Sequence, residues 1–335
     1  MDQTVPADRH RDPAAVERLT TLAAQVLARH GGDFARARRA GGYSNLTWLA
    51  DGLAVRVAAA AGPGDFRREA RLAALLPPEV GYPRVIASGV LEGHEWLLAE
   101  EAPGVNLGEV WPALGWEARG RAISELWEKT EAVHRVDLAQ AALHVRAQSP
   151  FYAPNPLAAA AQMRQLEQRA MLRPAQSAVL QAALERFWHA LPEAPVVLNH
   201  GDLCTENALW HQGHVSALLD FEFAVAAPVE LDANELLGQA YAPRETEDPL
   251  PDPTGAGILC LREAATRAVL PLLQRSGAKD RLLGYAVLLQ LWAMHKWLVD
   301  WDGRADVTAW QPHRALAGLA AGDGGYLAPV LQLLA

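Results

Sequence analysis

At Glu101-Ala102-Pro103-Gly104 the chain changes character, from short runs of β-formers to long stretches of helical period, and one kind of packed layer cannot serve both. Before this break, Asp12-Pro13 is a helix start, and Val16, Leu19, Leu22, Val26 and Leu27 recur at helical spacing until Gly31-Gly32. Residues 36–57 then carry β-formers interrupted by Gly41-Gly42 and by Asp51-Gly52, the latter a two-residue hairpin signal. Asp65 is placed to cap a helix running through Leu75 and stopped at Pro77-Pro78. Residues 84–87 and 96–100 read as two further strands around a Glu92-Gly93 turn. The expectation is a small antiparallel sheet of roughly five strands carrying one helix.

Beyond the break, residues 116–136, 156–172 and 174–191 are rich in Ala and Leu, bounded by Pro or Gly, and predicted helical. Residues 196–225 differ: apolar runs flank Gln212-Gly213 and predict a buried hairpin. Acidic, Pro-rich residues 243–253 read as a surface loop, and helices beginning near Gly257, Lys279 and Gln311 complete the chain. With 335 residues, the chain exceeds the ~250 at which a single core stops growing. The reading is an α+β fold of two lobes, a β-rich part at 1–103 and a mainly α-helical part at 104–335, joined by a hinge.

Lys and Arg number 30 against 39 Asp and Glu, a formal net charge of -9, so the chain lacks the cationic field that a phosphate backbone rewards. Nucleic acid is not an expected partner. Cys204 and Cys260 form no CxxC pair and are too few for a disulfide framework, which fits a reducing compartment. No run approaches the ~18 apolar residues of a spanning helix, and the N-terminal residues have no apolar core of a signal peptide. The expected location is the cytoplasm, away from membranes, as a monomer or homodimer.

The chemistry is concentrated in His200-Gly201-Asp202-Leu203-Cys204-Thr205-Glu206-Asn207, where a carboxylate precedes a carboxamide by five residues, and in Asp220-Phe221-Glu222 on the far side of the hairpin. A turn centred on Gln212-Gly213 brings Asn207 and Asp220 to the open ends of two paired strands, within reach of one cation, with Asp202 just before them. One Asp and one Asn are an adequate protein share of a Mg²⁺ shell, which keeps waters and phosphates for the rest. A further carboxylate nearby can orient an attacking hydroxyl. That grouping matches phosphoryl transfer from a nucleotide, as in protein kinases with their H-R-D-x-x-x-x-N loop and DFG Asp.

The two motifs together resemble the aminoglycoside phosphotransferase and choline kinase family of protein-kinase-like small-molecule kinases, in which Gly replaces the protein-kinase Arg. The resemblance spans about residues 36–237 and implies a protein-kinase-like two-lobed fold with ATP and Mg²⁺ as cofactors. It implies Asp202 as catalytic base, Asn207 and Asp220 as metal ligands, and His200 as a brace for the loop. Gly41-Gly42-Tyr43-Ser44-Asn45 lies where the family has its nucleotide loop, so Gly42, Ser44 and Asn45 are expected near phosphate oxygens. Arg56 stands where family members usually carry Lys, with Glu69 on the next helix as its ion-pair partner. An Arg keeps the charge, but its planar fork differs from an ammonium, so nucleotide affinity is the property this departure touches. In the hinge, the carbonyl of Glu100 and the N–H of Ala102 are implied to bind the adenine edge. His134 and Asp232 fall where the family commonly carries such residues and are expected to be structural.

Blander readings stand beside these. Arg56 and Glu69 could form an ordinary surface ion pair, and Gly41-Gly42 an ordinary hairpin turn. His211 and His214 have metal-like spacing without a third ligand, so zinc is rejected. Trp292, Trp297, Trp301 and Trp310 suggest an aromatic cage for a quaternary ammonium, but core packing is the better reading. Glu230, Glu235, Glu245, Glu247, Asp248, Asp300, Asp302 and Asp306 lie where the family builds its acceptor pocket and would suit a cationic small-molecule acceptor; a solvated face is the alternative. The expected activity is an ATP-dependent kinase of a small-molecule hydroxyl, with an aminoglycoside or other amino-bearing alcohol first. The competing expectation is an idle nucleotide- or ligand-binding pseudokinase. A protein kinase is disfavoured, because no Ala-Pro-Glu signature follows Asp220-Phe221-Glu222.

Overall fold

A computed structural model describes residues 13–40, 45–61, 65–242, 256–301 and 310–334. Helix α1 (Pro13–Arg29) presents Leu19, Leu22, Ala23, Val26 and Leu27, all buried, to a sheet formed from β1 (Arg38–Ala40), β2 (Leu46–Ala50) and β3 (Leu53–Ala61). The Asp51-Gly52 turn between β2 and β3 has φ of 52° and 76°, the doubly left-handed geometry that a two-residue hairpin demands. It fixes the register Ala50↔Leu53 and Trp48↔Val55, so Leu46, Trp48 and Ala50 share the face buried under α1. Helix α2 (Phe66–Ala73) follows, then β4 (Val85–Leu91) and β5 (His94–Glu100), in the order β1-β2-β3-β5-β4. The five antiparallel strands and their helix match the expectation, and the Glu92-Gly93 turn lies where it was read.

Two details of α2 differ from the reading. It ends at Ala73 rather than Leu75, and Asp65 makes no side-chain cap. The Asp65 carboxylate is instead drawn into ion pairs with Arg68 and Arg146, two guanidiniums that a backbone N–H cannot outbid. The buried Glu95 of β5 takes over part of the capping, accepting the Arg67 N–H at 3.3 Å.

Past Glu100 the chain makes β6 (Val105–Asn106), the short turn α3 (Leu107–Val110), the long helix α4 (Trp116–His134) and the turn α5 (Leu138–Ala141). Helices α6 (Pro156–Gln168) and α7 (Pro174–Ala190) follow, a little shorter than predicted. Residues 196–228 are not one hairpin but two nested antiparallel pairs. The outer pair is β7 (Val196–Asn199) with β10 (Val225–Pro228); the inner is β8 (Ala208–His211) with β9 (His214–Leu218), turning at Gln212-Gly213 and extended by β6. Between the pairs lie two opposed loops, 200–207 and 219–224, and a continuous hairpin would leave no room for them.

Helices α8 (Glu230–Tyr241), α9 (Ala256–Leu273), α10 (Ala278–Trp301), α11 (Gln311–Leu319) and the turn α12 (Ala328–Leu331) complete the described chain. The main core joins Ile123, Leu126 and Trp127 of α4, Leu180 and Phe187 of α7, Leu236 and Leu237 of α8, and Leu282, Leu288 and Leu291 of α10. Two arginines are fully buried inside it. Arg119 lies over the rings of Trp111 and Trp116, at 5.3 and 4.6 Å, and Arg281 pairs with Glu230 at 2.8 Å.

Candidate active site

The opposed loops bring the sequence-selected residues together. Loop 200–207 leaves β7 through Gly201, whose φ of 82° and the Phe223 carbonyl 2.3 Å from where a Cβ would stand both require glycine. The buried Asp232 of α8 holds this corner: Oδ2 accepts the His200 N–H at 2.9 Å and Oδ1 the Gly201 N–H at 3.0 Å. His134, at the end of α4, adds its Nε2 at 2.9 Å from Oδ2. The His200 ring accepts the Asp202 N–H at Nδ1 (3.3 Å), which makes Nε2 the donor to the Leu219 carbonyl (2.8 Å), tying one loop to the other. His134, Asp232 and His200 are thus framework, as expected.

Asn207 donates its amide N–H groups to the backbone carbonyl of Asp202 at 2.8 Å and to its Oδ2 at 3.0 Å. The donor end being committed to Asp202, the amide offers its oxygen as a ligand. Burial, opposed by His200 and reinforced by the charge of Asp220, raises the Asp202 carboxyl to about 6. Asp220 itself is in the left-handed region, φ 63° and ψ 63°, a conformation non-glycine residues seldom hold.

From the five-stranded sheet, Arg56 on β3 reaches this loop. Its Nη1 lies 2.8 Å from both carboxylate oxygens of Glu69 and its Nη2 2.7 Å from Asp220 Oδ1. Their side chains are 15% and 0% exposed, so the ion pair is a buried one and the surface-pair reading fails. Burial works against the Arg56 guanidinium, but the charges of Asp220 and Glu69 outweigh it and hold it in the charged form. Burial raises the Glu69 carboxyl, countered by Arg56. Glu69 also accepts the Tyr82 hydroxyl at 2.9 Å and the Phe221 N–H at 3.0 Å.

Asn45, just before β2, gives its amide N–H to Glu222 at 2.7 Å, and Glu222 is pushed up to about 7 by burial and by Asp220. Gly42 and Ser44, with Gly41 and Tyr43, lie outside the described residues. Glu100 and Ala102 stand where β5 leaves the sheet: the Glu100 N–H donates to Arg84 O at 3.0 Å, the Glu101 N–H to Gly52 O at 2.7 Å, and Ser216 Oγ to Pro103 O at 2.8 Å.

The Asn207 amide oxygen and the Asp220 carboxylate are hard donors of the kind Mg²⁺ takes, and a second carboxylate, Asp202, stands beside Asn207. The donor set fits such an ion.

The acidic acceptor wall fares less well. Glu230 is spent on Arg281, and Glu235 accepts the Leu203 N–H and, at 3.1 Å, the Tyr152 hydroxyl. Both hold the framework rather than face an acceptor. Glu245, Glu247, Asp248, Asp302 and Asp306 lie outside the described residues, as does the side chain of Asp300. His214 is bonded to Glu125 at 2.7 Å, on the surface. Trp310 is buried in the core, as read, and Trp292 packs edge-on against Phe151 at 4.8 Å; the side chains of Trp297 and Trp301 lie outside the description. Sequence reasoning passed over Tyr82 and Arg146 and gave Glu222 no partner, because these contacts join residues far apart in the chain and leave no periodic trace.

The sequence pattern of the phosphotransferase enzyme family matches residues 35–272. Among solved structures, the chain is similar to the GDP complex of aminoglycoside 2'-phosphotransferase-IIIa, with 16% identity, a TM-score of 0.64, and 92% of this chain and 98% of that one covered. It is similar to a ternary complex of a thermostable aminoglycoside phosphotransferase APH(4)-Ia mutant with ADP and hygromycin B (17%, TM-score 0.62, coverage 91% and 99%). A third is the GDP and kanamycin complex of APH(2")-IIia (17%, TM-score 0.55, coverage 89% and 91%). No curated protein sequence matches. At such identities the structures speak for the fold, a protein-kinase-like one with a small antiparallel sheet and a mainly helical remainder. The family pattern, running from the first strand of the sheet through both site loops and on to the end of α9, shows that this chain belongs to the phosphotransferase enzyme family.

Proposed function

We propose that the protein transfers the γ-phosphoryl group of ATP, with Mg²⁺, to a hydroxyl of a small amino-bearing alcohol, an aminoglycoside first among them. The observation that carries this reading is the joining of Asp202, Asn207 and Asp220 in one cluster, tied through Arg56 to Glu69. Asp202 orients the acceptor hydroxyl and takes its proton as the new O–P bond forms and the bond to ADP breaks. Burial, which raises the Asp202 carboxyl, makes it a stronger base than an exposed one. The oxygens of Asn207 and Asp220 would hold the metal, which when bound neutralises charge on the phosphate oxygens. Arg56, oriented by Glu69, binds phosphate. By this reading Gly42, Ser44 and Asn45 are assigned to the phosphates and the Glu100 carbonyl and Ala102 N–H to the adenine edge, with a nucleotide-binding lobe at 1–103 and a catalytic and acceptor-binding lobe at 104–335.

A cationic acceptor is supported by two of the similar structures, which hold hygromycin B and kanamycin. The reading includes a cytoplasmic monomer or homodimer; no helix among the described residues is long and apolar enough to cross a membrane. One observation favours a second reading, nucleotide binding without turnover: Arg56 Nη2 already takes Asp220 Oδ1 at 2.7 Å, an oxygen the metal needs. Purified protein with ATP and Mg²⁺, challenged with aminoglycosides, choline, homoserine and neutral sugars and read by ADP release, separates the two. Release with an amino-bearing acceptor supports the kinase; nucleotide binding with silence across the panel selects the second reading.

A further inference from the structure

Arg146, in the segment between α5 and α6, meets the turn after Asp220 with its backbone and its side chain alike. Its N–H donates to Ala224 O at 2.8 Å, and the residue pairs in a parallel bridge with Val225. Its Nε donates to the Glu222 carbonyl at 2.8 Å, and the guanidinium carbon lies 5.0 Å from the centre of the Phe223 ring. Its Nη2 then pairs with Asp65, at the head of α2. Only a planar fork can serve a carbonyl through one nitrogen and a carboxylate through another at fixed angle.

Helix α2 therefore grips residues 221–224 twice. One grip is Glu69, which accepts the Phe221 N–H at 3.0 Å; the other, one helical turn earlier, is Asp65 acting through Arg146 on Glu222 O. Asp220 sits immediately beside the first grip in its left-handed conformation, which the surroundings must impose on a residue that has a Cβ. Asp65 also serves Arg68 on its own helix, so its carboxylate has both a local partner and a distant one.

We infer that Arg146 is a positioning residue which, through Asp65, couples the head of α2 to the turn that carries Asp220, so that Glu69 and Asp220 hold a fixed relation. The coupling rests on contacts alone; its consequence for catalysis rests on the phosphotransfer reading above.

The test compares Asp65→Asn, Arg146→Lys, the double variant and Arg68→Gln as a control, in the full chain, by amide exchange and by steady-state kinetics. Lys keeps the charge but cannot make both contacts, and both exchanges are mild enough to fold. Asp65→Asn is expected to speed exchange of the 220–224 amides at least about tenfold, the scale of one lost charge-assisted hydrogen bond, although Asp65 does not touch those residues. Arg68→Gln leaves them unchanged. In turnover, Asp65→Asn and Arg146→Lys each lower kcat about tenfold with the acceptor KM unchanged, and the double variant is no worse than the more affected single one. Exchange confined to α2 in Asp65→Asn overturns the coupling, as do multiplying losses in the double variant. Unchanged kcat in both single variants overturns the positioning role. A wild-type protein that turns over no acceptor refutes the phosphotransfer reading instead, and amide exchange still decides the coupling.

Discussion

Replacing Asp232 by Asn removes a charge that no substrate touches, and it should disable the protein in two measurable ways. The carboxylate is fully buried and has three donors: the N–H of His200 at 2.9 Å and Nε2 of His134 at 2.9 Å on Oδ2, and the N–H of Gly201 at 3.0 Å on Oδ1. Asn offers one acceptor oxygen. Its best rotamer leaves that oxygen at the Oδ2 position, serving two donors, and turns its NH₂ against the Gly201 N–H. One buried N–H then goes unsatisfied, at about 1–3 kcal/mol, and the two remaining bonds lose their charge assistance at about 0.5–1 kcal/mol each. The sum is a destabilisation of about 2–5 kcal/mol, read as a fall in the urea midpoint at unchanged slope. Asp232→Ala, which abandons all three donors, should lie above this. Because His200 and Gly201 lead directly into Asp202, turnover should fall at temperatures where the variant is still folded. A loss below about 1 kcal/mol, or full turnover in the folded variant, would refute the bracing role.

Asp202→Asn should lower kcat by at least ~10²-fold with nucleotide affinity little changed, since general-base catalysis typically contributes ~10² to 10⁴; near wild-type transfer removes Asp202 as the base. For Asp220→Ala, titrations of nucleotide with and without Mg²⁺ should show the metal's enhancement lost along with turnover, and an enhancement that survives takes Asp220 out of the metal site. Arg281→Met strands the buried Glu230 carboxylate and should cost about 3–5 kcal/mol in chemical denaturation, most of it recovered by adding Glu230→Gln. A double variant as unstable as the single one would contradict that account.

The sheet was legible because its signals are local. The Asp51-Gly52 and Glu92-Gly93 turns are left-handed at both residues and signalled by adjacent residues alone, and the alternation in Leu46–Ala50 then decides which face α1 covers. The site was legible where it is contiguous: Asp202 and Asn207 share one loop, and a two-residue turn returns the chain to Asp220. Residues 196–225 misled because the pattern of apolar runs records burial and not partner. Whether Val196–Asn199 pairs with β8 or with β10 depends on the room the site loops need.

The sequence by itself therefore set most of the elements, the break between β and helical texture, the charge balance and the candidate residues of the site. Tertiary structure decided what each charge is for. Glu230 and Glu235, acidic residues in an acceptor region by sequence, became framework on meeting Arg281, Leu203 and Tyr152. Asp65, a helix cap by sequence, became the partner of Arg146, 81 residues away. A charged side chain carries the same label in every context, but its role follows from whichever opposite charge or orphaned donor the fold buries beside it, and that choice is made only when distant segments meet in a medium of low dielectric.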